Sequence, residues 1–112
     1  MRGPYNAYHA EAFGLVFKLS YYFENRENPH LEIFLDDDEA KAKEWDIYGA
    51  LPDDSGRFAH VAFDALGEER SFQVCASRFR IRFDKLDSDD FTYPNGSKER
   101  MPVYEFLVTL LP

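Results

Sequence analysis

From Phe13 to Phe23 every second residue is large and apolar: Phe13, Leu15, Phe17, Leu19, Tyr21 and Phe23. Gly14, Val16, Lys18, Ser20 and Tyr22 lie between them. A strand turns alternate side chains to opposite faces, so a period of two fits an extended segment with one face in a core. No helix accommodates it. The spacing predicts a strand over 12–24, followed by turn chemistry at Glu24–Pro29 (ENRENP). Leu31, Ile33 and Leu35 then alternate with His30, Glu32, Phe34 and Asp36, a second strand that closes a hairpin on the first.

The same pattern returns further along. Ala59, Val61, Phe63 and Ala65 alternate weakly within Arg57–Ala65, and LGEER (66–70) reads as a turn. Apolar residues fall at Phe72, Val74 and Ala76, then at Phe79, Ile81 and Phe83. The phase slips by one residue, which predicts a β-bulge near Ser77. Residues 86–101 read as a long polar loop with Pro94-Asn95-Gly96 as its tightest turn. The last segment, PVYEFLVTLL (102–111), is apolar on both faces and belongs in the middle of a sheet or between packed layers.

One stretch breaks the pattern. After Asp36 or Asp37, either able to cap a helix, come Ala40, Lys41, Ala42 and Lys43, all good helix formers. A helix is expected over 38–48, with a strand over 45–51 as its competitor. The expected fold is therefore mainly β (α+β): one antiparallel sheet or small sandwich of about five strands, with one short helix packed on it. Phe13, Leu15, Phe17, Leu19, Leu31, Ile33, Phe79, Ile81, Phe106 and Val108 are its expected core. A chain of 112 residues suffices for a single globular domain, 1–112, and is too short for two. Phe and Tyr are abundant, with aromatics at 17%, which argues against disorder in spite of the charge.

Candidate catalytic groups are few. His9, His30 and His60 show no paired metal-ligand spacing, and Cys75 is the single cysteine. Cys75 and His60 could form a nucleophile and base on neighbouring strands, but a free cysteine in a strand is most often a small hydrophobe. The acidic runs at 36–39 and 87–90 lack the ligand order of a calcium loop, and the glycines form no phosphate-binding loop. No catalytic residue, metal or cofactor is assigned. A lone cysteine, no apolar run of membrane-spanning length and no signal-peptide core near residue 1 point to a cytoplasmic protein.

Charge carries more information. The formal net charge is −8, and residues 36–56 hold eight acidic and two basic side chains, net −6. Such a field repels nucleic acid and anionic membranes and attracts basic surfaces. Against it stands SRFRIRFDK (77–85), where Arg78, Arg80 and Arg82 share one strand face and Phe79, Ile81 and Phe83 the other. Stacking aromatics are on the wrong face for single-stranded nucleic acid, so the arginines are expected to neutralise acids such as Glu32, Asp36 or Glu105 on neighbouring strands.

The functional expectation rests on the acidic block. Asp36, Asp37, Asp38, Glu39, Glu44, Asp46, Asp53 and Asp54 surround Trp45 and Tyr48, and an aromatic anchor ringed by charge is how binding hot spots are commonly built. A small acidic binding protein that docks a basic protein partner is expected. Stoichiometric inhibitors of nucleic-acid-handling enzymes, of the toxin-immunity and anti-CRISPR kind, use this physics. A structural subunit forming a homodimer is the alternative, and a small enzyme of unknown reaction is the second.

Overall fold

The computed structural model describes residues 1–4, 9–20, 26–38 and 56–112. Within them the chain is mainly β, with eight strands in two antiparallel sheets of four. The first sheet has the order β1-β8-β7-β6: β1 is Arg2–Pro4, β8 Lys98–Leu110, β7 Ser77–Thr92 and β6 Glu69–Val74. The second has the order β2-β3-β4-β5: β2 is His9–Ala12, β3 Leu15–Leu19, β4 His30–Leu35 and β5 Phe58–Ala62. Apart from β1 beside β8, strands adjacent in a sheet are adjacent in sequence. Two-residue turns join β2 to β3 and β6 to β7, whereas 22 residues separate β4 from β5.

The alternation found in the sequence fills the space between the sheets. Leu15, Phe17, Leu19, Leu31, Ile33 and Val61 meet Phe72, Val74, Phe79, Ile81, Phe83, Tyr104 and Phe106 in one buried cluster, with Phe63 just beyond β5. Phe17 meets Phe72 edge-on at 6.1 Å, and Phe72 stacks on Phe79 at 5.1 Å. Phe63, Phe83 and Phe106 form a triangle with centroids between 5.4 and 5.7 Å apart. Burying each such side chain contributes about 1.5–3 kcal/mol. Buried Tyr104 donates its hydroxyl to the Arg26 carbonyl at 2.6 Å, so its polar end is not left unsatisfied. Val16, Phe34 and Phe58 form a smaller buried cluster on the other face of the second sheet.

At the seam between β5 and β6, Arg70 Nε donates to the Ala62 carbonyl at 3.1 Å and the guanidinium lies 5.8 Å from the Phe63 ring centroid. The carboxylate of Glu68 accepts from the Asp64 and Ala65 amides and pairs with Arg70 at 3.1 Å. These contacts hold Glu68 below its ordinary pKa, the Arg70 hydrogen bond first.

Several expectations are corrected. Eight strands in two sheets replace about five. The expected strand over 12–24 contains a hairpin turn, since Ala12 pairs with Leu15 across Phe13-Gly14; residues 21–24 lie outside the described residues. The phase slip after Ala76 is also a hairpin turn: Val74 pairs with Ser77 across Cys75-Ala76. The bulge lies instead at Asp84, between Phe83 and Lys85. The expected loop over 86–101 is mostly strand, because β7 and β8 stay paired from Lys85–Glu105 to Thr92–Lys98. Its tip is the expected Pro94-Asn95-Gly96 turn, where the Gly96 amide donates to the Tyr93 carbonyl at 2.9 Å. Of the expected core, Phe13 is 53% exposed and Val108 is half-buried. The expected helix over 38–48 lies, beyond Asp38, outside the described residues.

Candidate functional site

Four chain segments converge at one end of the two sheets. Phe13 and Gly14 both have positive φ, 57° and 71°, the combination a type I′ hairpin turn requires. Glycine adopts it freely, whereas an L side chain there costs roughly 1–2 kcal/mol. Phe13 nevertheless occupies it, with its ring half in solvent and 5.7 Å from Phe79. The Gly14 carbonyl accepts from the Asp36 amide at 2.9 Å, which fixes the start of the acidic block beside the exposed ring. The end of that block returns to the same place: Leu35 N donates to the Arg57 carbonyl at 3.3 Å, and Arg57 pairs with Asp37 at 3.2 Å. Gly56 accepts from the Cys75 amide at 2.7 Å, bringing in the β6–β7 tip. Leu110, opposite Phe79 in the ladder, is 50% exposed.

Three of the expected partner-binding residues fall here. Asp36 and Asp38 are exposed, and Asp37 is half-buried against Arg57. Glu39, Glu44, Trp45, Asp46, Tyr48, Asp53 and Asp54 lie outside the described residues. Alternation alone places Phe13 in the core; the turn at Phe13-Gly14 carries it half into solvent instead. Its signal was Gly14, an isolated glycine inside an apolar alternation, which marks a turn or a bulge.

The arginine face is corrected in its partners. Arg80 lies 3.8 Å from Glu69 on β6, and Arg82 pairs with Asp84 on its own strand at 2.7 Å. Arg78 has no acidic partner among the described residues. Glu105 instead lies 3.9 Å from Arg2, and Glu32 sits in the other sheet, opposite Lys18 and His60.

Among the described residues the other candidate groups, Cys75 and His60, lie apart. Cys75 is exposed at a hairpin tip, and no hydrogen bond joins it to His60, which lies on the outer face of the second sheet. His30 and His60 are neighbours there, both held below the ordinary histidine pKa chiefly by burial. Among the described residues no three His, Cys, Asp or Glu side chains converge as metal ligands. Beyond Arg82, β7 loses β6 as a neighbour, and the distal β7–β8 hairpin carries two open clefts. One, about 350 Å³, is lined by Arg2, Asp89, Asp90, Phe91, Met101 and Val103. Neither cleft holds a histidine or cysteine. No helix among the described residues is long and apolar enough to cross a membrane.

No protein family, curated protein or solved structure matches this chain.

Proposed function

We propose that this is a non-catalytic binding protein that docks a basic protein partner through the end of the sheets bearing Phe13 and Asp36–Asp38. A stoichiometric inhibitor of a nucleic-acid-handling enzyme is the kind of protein this surface suits. The observation that carries the reading is Phe13, an aromatic ring held half-exposed on a strained turn whose Gly14 carbonyl binds the backbone amide of Asp36, the first residue of the acidic block. Strain of this kind persists where the surroundings enforce it, and it clusters at ligand clamps and active sites. The ring supplies an apolar anchor, and the acids supply approach and orientation.

The test compares the wild type with Phe13→Asn as bait for basic proteins from the native host. Asparagine suits the first position of a type I′ turn, so the variant keeps the hairpin while losing the anchor. A basic partner retained at one-to-one stoichiometry by the wild type and lost by the variant, at matched melting temperature, supports the reading. Equal retention by both removes Phe13 from the interface and overturns it.

A further inference from the structure

We propose that the outer face of β7 is a second interface, which docks the same face of a second copy of this chain across a two-fold axis at the Asp84 bulge. The face is bipolar. Arg78, Arg80 and Arg82 lie before the bulge, and Asp87 and Asp89 follow it on the same side. Arg78 and Asp89 are equally distant in sequence from the Phe83–Asp84 step, and so are Arg80 and Asp87. Rotation about an axis there sets Arg78 opposite Asp89 of the second copy and Arg80 opposite Asp87; it also sets Arg82 opposite Lys85, a like-charge pair whose members each lie beside an acid of their own chain. Each contact then occurs twice, as an isologous interface requires.

The charges at the two ends of this face are available for it. Among the described residues Arg78 has no acidic partner and Asp89 has no cationic one. Both are exposed. Close to the axis is Leu107, 50% exposed and opposite Arg82 in the β7–β8 ladder, an apolar centre ringed by charge. Lys85, also near the axis, has Glu105 opposite it in the ladder and Asp87 at 4.0 Å. Two sheets packed face to face stand about 10 Å apart, within the combined reach of an arginine and an aspartate.

Charge also selects this mode over its competitor. Pairing two copies edge to edge along distal β7, antiparallel about Ser88, would set Asp87 of each copy against Asp89 of the other, and like charges directly opposite destabilise a ladder. Packing by the face brings opposite signs together at Arg78–Asp89 and Arg80–Asp87.

Sedimentation equilibrium at about 50 mM and about 500 mM salt tests the proposal through screening. The wild type is expected at twice the 13.1 kDa chain mass at low salt, with weaker association at high salt. Arg78→Glu makes the pair of facing sites all-acidic, and Asp89→Arg makes it all-basic. Each variant alone should weaken self-association at least about tenfold, because like-charge juxtaposition across an interface costs several kcal/mol. Mixed in equal amounts they should associate with each other, since position 78 of each copy then faces position 89 of the other with opposite sign. Matched thermal melts verify that both variants are folded. A wild type that stays monomeric to about 1 mM overturns the proposal. So does a dimer that neither variant weakens, or a mixture no stronger than its components. Binding of a DNA or RNA oligomer that is lost in Arg78→Glu, without self-association, would assign the arginines to a polyanion instead and also overturn it.

Discussion

His30 and His60 meet edge to face on the outer surface of the second sheet, with ring centroids 5.4 Å apart. The ladder pairs His30 with Ala62 and Glu32 with His60, so the two rings are diagonal neighbours on one face, which Lys18 shares. Burial lowers both pKa values; His30 lowers that of His60 further, while Asp64 partly offsets the effect at His30. The unfolded chain therefore binds protons more readily than the folded one. Stability contributed by the neutral pair is complete above the ordinary value of 6.5 and is lost as pH falls through it toward the folded values. The melting temperature should fall between about pH 7.5 and 5.5, and His60→Gln should flatten that slope. A wild-type melting temperature constant across the window would refute the linkage. Glu68 and Glu99, both held below the usual carboxylate value of 4.5, contribute their own loss only at lower pH.

Phe83 is the keystone of the aromatic triangle and is completely buried, touching Phe63, Phe106 and Tyr104. Phe83→Ala would leave a cavity between the sheets and should cost about 3–5 kcal/mol, read as a lower midpoint in urea denaturation. Phe13→Ala removes a ring that is already half in solvent and should cost less than half as much. Equal losses at the two positions would mean that Phe13 belongs to the core after all.

Cys75 holds a positive φ of 54° at the first position of the Cys75-Ala76 turn, where an L side chain is strained. Replacing it with glycine relieves that strain at some cost in unfolded-chain entropy, for a net stabilisation of roughly 0.5–1 kcal/mol. Thermal unfolding of Cys75→Gly measures this directly. A destabilised variant would show that the thiol contributes packing its exposure does not suggest.

Period-two patterning located the core faces of β3, β4, β7 and β8, because burial on one side of a strand writes itself into every second residue. It did not locate the turns at Phe13-Gly14 and Cys75-Ala76. Both are two-residue hairpin loops, and a two-residue loop shifts the alternation by so little that the flanking strands read as one. Neither is signed by Asn-Gly or Asp-Gly, and one of them puts a phenylalanine where asparagine or glycine is normal. The distal hairpin was illegible for another reason. Residues 88–92 and 98–102 pair only with each other among the described residues, and of them only Met101 is buried, so almost no alternation is imposed on them. Of the candidate site, the acids of the block were legible as a charge run. Their meeting with Phe13 depends on one backbone hydrogen bond, from Asp36 to Gly14, that no side-chain pattern records.

The acids and the ring should act at different stages of partner binding. Exposed carboxylates attract a basic partner over distances comparable with the Debye length, about 8 Å near physiological ionic strength, and so raise the association rate. Replacing Asp36 and Asp38 together with Asn should slow association and reduce its salt dependence, with little effect on stability because both side chains are exposed. Asp37 is a poor choice for that test, since its pairing with Arg57 at 3.2 Å ties the two ends of the block together. Phe13→Asn should instead speed dissociation, because an apolar anchor is felt once the complex has formed. Trp45→Ala is expected to act in the same way, as the aromatic within the acidic run. Surface binding kinetics at two salt concentrations separates the classes. If the double Asn variant changes the dissociation rate and leaves association untouched, the carboxylates make direct contacts and do not steer. If neither rate changes in any of these variants, residues 36–56 keep the protein soluble and the partner binds elsewhere.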